Sequence, residues 1–443
     1  MLQSVFLVLA PILLIFACGT NVAAQDEKRL CVECHSQVTP RVVSDWRLSK
    51  HSRNDVYCPS CHGYEHTSRD DVEKAQLALP QKCAECHQAR VEQFKKGKHA
   101  LAWTAMNAMP TVHWQPMVQV EGLKGCGSCH RIGIKTEEEV RDLETKGSGF
   151  GASSCDACHT RHVFSAEEAK SPQACQTCHT GMDHPQWEMF STSKHGTRYL
   201  LKQSKVIPET VAAPTCQTCH MREGSHSVRT AWGFLAVRLP MPEDPSWTED
   251  RTTILQALGV LDPSGNPTPR MNALMSADVM RRTLESWQDE REKMIKVCNQ
   301  CHSVNFARSE LGKGDQTVRE ADRLMASAIR TIAGLYSDGI LAKSHTYAHN
   351  FPDVLAFADA PTVIEQRLFK MFSEYRMRAF QGAFHASPAY TYWYGWSPLQ
   401  TTLTEINERA AALRQGASPP EEPKIEPKGQ QPPARSKRPP VKK

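Results

Sequence analysis

Hydrophobic and polar positions divide the chain into distinct regions. Residues 1–24 carry no charged side chain, and Val5–Cys18 form a 14-residue apolar run. That run is shorter than the roughly 20 residues a membrane helix needs. With Val22-Ala23-Ala24 offering small residues before Gln25, it predicts a signal peptide over 1–24 and export to a periplasmic or equivalent compartment. The leader lacks Lys and Arg, and Ile15-Phe16-Ala17-Cys18 also reads as a lipid-attachment box, so an anchor at Cys18 is an alternative. From about Ser276 the pattern turns helical. Ala277–Val297 places Leu284, Trp287, Met294 and Val297 near helical spacing, and Thr317–Leu341 aligns Leu324, Ala328, Ile332 and Leu335. A third helix is expected over Ala360–Phe384, opened by Asp359-Ala360-Pro361 with Asp as cap and Pro early. A shorter fourth covers Leu399–Arg414. Before them, Arg229–Trp247, rich in Pro and aromatics, reads as an extended packed segment. Residues 416–443, with eight prolines and no aromatic residue, read as a disordered tail.

Composition changes this picture in one respect. Of the 443 residues 40% are apolar, yet only 7% are aromatic and 28 are proline, so something other than side chains is expected to fill the core. The net charge of +5 resides mainly in the tail, where seven Lys/Arg stand against three Glu. The rest is nearly neutral, which argues against nucleic-acid binding.

The cysteines name the missing filler. Sixteen of the 17 fall in eight C-x-x-C pairs, each followed at once by histidine. They are Cys31, Cys34 and His35; Cys58, Cys61 and His62; Cys83, Cys86 and His87; Cys126, Cys129 and His130. The second four are Cys155, Cys158 and His159; Cys175, Cys178 and His179; Cys216, Cys219 and His220; Cys298, Cys301 and His302. C-x-x-C-H is the attachment signature of c-type haem: two thiols add across the porphyrin vinyl groups and the adjacent histidine ligates the iron. Zinc or disulfides would not explain a histidine directly after every pair. Eight covalent c-type haems are therefore expected.

Seven motifs lie between Cys31 and His220, their first cysteines 20 to 43 residues apart, and the eighth follows an 82-residue gap. Such intervals allow one short helix and a loop per haem. The expected fold is mainly α, with a haem-packed part over 25–275 and almost no sheet. A long-helix bundle over 276–415 carries the eighth motif and either a subunit interface or a simple cover for the haems.

Eleven histidines lie outside the motifs: His51, His66, His99, His113, His162, His184, His195, His226, His345, His349 and His385. Eight haems have eight distal sites, so three are surplus. His51 (Ser-Lys-His-Ser), His195 (Ser-Lys-His-Gly) and His99 (Gly-Lys-His-Ala) share a context and read as distal ligands, with His113, His162, His226 and His349 as further candidates. A bis-histidine haem is closed and suits electron transfer, whereas catalysis needs one open face. An electron conduit would have eight closed haems and an oxidoreductase seven.

Several stretches resemble the octahaem hydroxylamine oxidoreductase family. One runs from Cys155-Asp156-Ala157-Cys158-His159-Thr160-Arg161-His162 through Cys175–His179 and Gly181-Met182-Asp183-His184-Pro185-Gln186 to Ser193-Lys194-His195-Gly196. Others are Thr230-Ala231-Trp232-Gly233-Phe234, Arg238-Leu239-Pro240, Gly382-Ala383-Phe384-His385 and Pro388 to Gly395. The resemblance implies that the fourth motif, Cys126, Cys129 and His130, carries a catalytic haem under an Asp-His pair, best matched by Asp183-His184. The alternatives are a plain distal ligand for His184 and a turn carboxylate for Asp183. It implies hydroxylamine or hydrazine oxidation, with nitrite or hydroxylamine reduction as the alternative. A soluble or membrane cytochrome would serve as redox partner. It further implies a homotrimer in which a tyrosine crosslinks to a neighbour's catalytic haem. Tyr392, or its neighbours Tyr390 and Tyr394, is the source at hand, a packed aromatic interface being the other reading. A non-catalytic electron-transfer cytochrome is the alternative of a different class. Intact-mass spectrometry of the mature chain is expected to show eight haem additions, and seven or fewer would contradict the motif argument.

Overall fold

The computed structural model describes residues 30–107, 127–145, 154–181, 184–229, 241–276, 283–343, 350–355 and 360–416. The leader with Cys18, the tail from 417, Cys126, His113, Asp183, His345 and His349 lie outside them. The described chain is mainly helical, and its only β pairing is an isolated bridge between Leu261 and Pro267. No described helix is long and apolar enough to cross a membrane.

The first part is built of short helices. The longer ones are α1 (Pro40–Leu48), α2 (Pro80–Lys95), α3 (Glu137–Thr145), α4 (Gln186–Thr192) and α5 (Lys194–Gln203). Several motifs occupy single turns, such as Pro59–His62, Gly127–His130 and Cys216–His220. The third lies inside α2, where His87 (φ −112°, ψ 35°) breaks the helical geometry. Among the described residues of this part, buried apolar side chains are sparse: Val43, Val91, Phe94, Ala100, Val140, Met189, Phe190 and Tyr199. That scarcity matches the expectation that side chains do not fill this half.

The second part packs conventionally. Its helices are α6 (Pro245–Ala257), α7 (Pro269–Ser276), α8 (Leu284–Cys298) and α9 (Val304–Ser337), then α10 (Val363–Lys370), α11 (Met377–Phe384) and α12 (Ser397–Arg414). One apolar cluster joins Leu255 and Leu258 of the α6 region to Leu324, Ile329 and Ile332 of α9, Leu368 and Phe372, and Leu399 and Ile406 of α12. Residues 245–276, grouped by the sequence with the haem-rich part, thus share the core of the bundle.

The helix expectations need four corrections. α9 begins at Val304 rather than Thr317, because Ser303 accepts a bond from the Phe306 amide and Ala307, Gly314 and Val318 extend the buried stripe. It stops at Ser337, where Gly339 takes φ 69° and the Ile340 amide bonds back to the Leu335 carbonyl, a glycine stop. The third helix starts at Val363, since Thr362 and Glu365 form a reciprocal capping box; Asp359 lies outside the described residues. It also widens into π turns over Met371–Arg376 before α11. Finally, Trp247 is helical and not extended: Asp244 caps α6 by accepting from its amide.

A second π segment, Ala389–Trp396, carries the three tyrosines and lies on α11. Gly382 and Gly395 make this approach workable, as a Cβ at either would collide with backbone of the facing segment.

A buried ion cluster ties α6, α9 and the π turns that lead into α11 together. Asp322, wholly buried, accepts from Trp247 Nε1 at 2.8 Å, Arg251 Nη1 at 2.9 Å, and Arg376 Nε and Nη2 at 2.9 and 2.8 Å. Burial raises its carboxyl pKa, but Arg376, Arg251 and Trp247 together hold it below the ordinary 3.8. A depressed folded-state value means the stabilisation is complete above 3.8 and disappears as pH falls through the lower folded value. Asp322→Ala removes the carboxylate that two buried guanidinium groups share and is expected to cost about 3–5 kcal/mol, read by denaturant unfolding at neutral pH; a loss under 1 kcal/mol would contradict the cluster's role.

Candidate haem-ligand array

Each motif histidine faces a second imidazole. Ring centres are 6.1 Å apart for His35–His66, His87–His51 and His179–His99, and 6.2 Å for His159–His226 and His302–His195. The separation is 6.3 Å for His62–His162, and 6.4 Å for His130–His184 and His220–His385. Two imidazoles sharing one metal at nitrogen distances of about 2 Å have centres roughly 6 Å apart, so all eight pairs leave room for one iron each.

The ring hydrogen bonds agree with that use. Nδ1 of His35 meets Thr39 Oγ1 at 2.8 Å; those of His62, His130, His226 and His385 meet the carbonyls of Gln76, Ala102, Gly224 and Gln381 at 2.8–3.1 Å. His179 Nδ1 meets Gln186 Oε1 at 3.2 Å, and His66 Nδ1 meets Asp71 Oδ1 at 2.8 Å. An acceptor at Nδ1 puts the proton there and leaves Nε2 for a metal. Burial, with a second imidazole alongside, pushes His99 and His220 down to about 4. Burial likewise lowers His51, His162, His195, His226 and His385. A neutral ring is the form that binds a metal.

The distal candidates His51, His99, His162, His195 and His226 each face a motif histidine. His66 and His385 do as well, although the sequence did not single them out as ligands. For His385 the matched stretch Gly382–His385 was the available signal, and for His66 only the surplus count. His113 and His349, named as candidates, lie outside the described residues, and every motif histidine already has a facing imidazole.

The thiols order the motifs in space. Cys83 neighbours Cys155, Cys129 neighbours Cys178 and Cys175 neighbours Cys216. Cys31 neighbours Cys58, Cys61 neighbours Cys83, Cys158 neighbours Cys175 and Cys219 neighbours Cys298. The motifs thus run first, second, third, fifth, sixth, seventh, eighth, with the fourth joined at the sixth. This order differs from chain order, and single-sequence spacing could not supply it. Nη1 of Arg131, next to His130, is buried without a hydrogen-bond partner, a cation suited to a haem carboxylate. The imidazole pairs and this unsatisfied cation fit c-type haem.

His184 faces both His130 and His179, at 6.4 Å each, so it stands where the fourth and sixth motifs meet. Its sequence neighbour Asp183 lies outside the described residues. Tyr392 and Tyr394 are about half exposed; Tyr392 stacks on Trp396, and Tyr390 packs on Tyr394 at 4.9 Å.

A family profile described as "Seven times multi-haem cytochrome CxxCH" matches residues 27–256 and 267–349. The chain belongs to this family of multi-haem c-type cytochromes. It is 26% identical to a Kuenenia stuttgartiensis protein described as a "Probable nitrite reductase-hydroxylamine oxidoreductase fusion protein", over 89% of this chain and 53% of that protein. The chain therefore spans about half the length of that curated relative. Its fold is similar to a reducing HAO-like protein complex of the same organism (TM-score 0.63, 24% identity, 91% of this chain and 88% of the other). It is also similar to a "Hypothetical multiheme protein" (TM-score 0.61, 19% identity, 90% and 99% covered).

Replacing His385 with Ala is expected to turn one low-spin haem high-spin, read by electron paramagnetic resonance, while covalent haem content stays unchanged. An unaltered low-spin signal would remove His385 from the ligand set.

Proposed function

We propose that this protein is an exported oxidoreductase of the hydroxylamine oxidoreductase type, carrying eight c-type haems. It acts on a small nitrogen compound at the fourth motif and exchanges electrons with a redox partner cytochrome through the other motifs. The observation that carries this reading is His184, an imidazole standing over His130 at the junction with the sixth motif. Cys126, Cys129 and His130 would hold the haem, whose iron would supply the binding and electron exchange for the nitrogen compound. Oxidation of hydroxylamine, or of hydrazine, releases protons as well as electrons, and His184 accepts protons, with Asp183 as its partner. In the alternative direction, reduction of nitrite or hydroxylamine, the same imidazole delivers them. The curated relative's name joins both chemistries.

The tyrosine segment serves the oxidative direction. Tyr392 and Tyr394 project from the surface at 48% and 52% exposure. Exposed phenols can reach a neighbouring subunit, and a heterologous contact of this kind can close into a ring such as a trimer. Tyr392 is the proposed crosslink to a neighbour's fourth haem.

A second reading, a non-catalytic electron conduit, draws on the presence of a second imidazole opposite every motif histidine. His184→Ala separates the two. Loss of turnover by about 10²–10⁴-fold, with eight haems and all low-spin signals retained, is the expected result. Loss of a low-spin bis-histidine signal, with no turnover in the parent protein, would establish the conduit instead. Haem-staining dimers or trimers in a denaturing gel are expected for the oxidative direction, and monomers alone would favour the reductive one.

A further inference from the structure

Among the facing imidazoles, His66 has a distinctive second contact. Six other ligand rings with a ring hydrogen bond meet neutral oxygens: a hydroxyl at His35, a side-chain amide at His179, and carbonyls at His62, His130, His226 and His385. His66 Nδ1 instead meets a carboxylate, Asp71 Oδ1, at 2.8 Å.

That carboxylate is built in rather than incidental. Asp71 is 9% exposed. Its Oδ1 accepts from the Thr67 amide at 3.1 Å and the Ser68 amide at 2.9 Å, and its Oδ2 from Thr67 Oγ1 at 3.2 Å. Lys74 Nζ stands 3.9 Å from Oδ2. These donors fix the carboxylate in orientation. A carboxylate hydrogen-bonded to the far nitrogen of a ligating histidine raises the basicity of the ligand. A more basic axial ligand stabilises the higher-charged, oxidised iron.

We infer that Asp71 is a positioning residue that, through His66, lowers the reduction potential of the first-motif haem. This rests on the reading of His35 and His66 as the two ligands of that haem. The first motif stands at one end of the thiol-to-thiol order, joined through Cys31 and Cys58. A lowered potential there biases an electron toward the neighbouring second motif.

The test uses the full haem-loaded chain and reads midpoint potentials by spectroelectrochemistry, with paramagnetic resonance to count low-spin haems. Asp71→Asn keeps an oxygen that can accept from Ser68 and Thr67 but removes the charge. It is expected to raise one midpoint enough to change that haem's oxidised-to-reduced ratio about tenfold, roughly 59 mV for one electron, with all haems and low-spin signals kept. Asp71→Glu retains the charge and is expected to stay near the parent midpoint. Unchanged midpoints in Asp71→Asn overturn the proposal, as does loss of a haem in both variants, which would make Asp71 a structural residue only. His66→Ala separates the premise from the inference. If it turns one low-spin haem high-spin while Asp71→Asn shifts nothing, only the potential-setting role fails. If every low-spin signal survives in His66→Ala, the ligand pairing at the first motif fails, and the proposal with it.

Discussion

The structure depends on one recurring constraint: an imidazole fixed beside a C-x-x-C pair meets a second imidazole about 6 Å away, with room between them for a flat prosthetic group. Eight such meetings bring together segments far apart in the chain, such as His302 with His195 and His159 with His226. Short helices suffice in the first part because they position ligands and need not bury a continuous apolar stripe. The few buried side chains there, against the dense cluster from Ile254 to Ala410, follow from that division of labour.

The bundle does more than cover the array. α8 ends on Cys298, and Ser303, one residue beyond His302, caps α9. The eighth motif is therefore clamped between two helices of an ordinary core. α11 ends beside His385, whose ring bonds back to the Gln381 carbonyl. Gln381 Oε1 accepts at 2.7 Å from Gln186, whose own Oε1 faces His179. The facing imidazoles of the sixth and seventh motifs are thus linked to the bundle through two glutamines. The charge cluster at Asp322 ties α6 and α9 to the π turns that lead into α11.

The ligand contacts also differ in kind. Carbonyl, hydroxyl and amide acceptors orient a ring without adding charge, while Asp71 adds a fixed negative charge at the first motif. One cofactor chemistry can span a range of potentials when only the acceptor behind each histidine changes. The position of His184, facing two motif histidines, is a matter of packing of the segment before α4 and not of motif spelling.

The sequence by itself determined the cofactor class, because C-x-x-C-H is a local covalent requirement met within five residues. It also determined the helical character of the C-terminal part, since Leu324, Ala328, Ile332 and Leu335 repeat with the period of a helix face. Helix limits were less legible: Thr362 with Glu365 outcompeted the Asp359-Ala360-Pro361 signal, and the polar first half of α9 concealed a buried stripe of Ala307, Gly314 and Val318. Only the tertiary structure decided which histidines face one another, and it added His66 and His385 to the set. A distal ligand is specified by where folding delivers an imidazole, and nothing in its immediate neighbours along the chain encodes that destination.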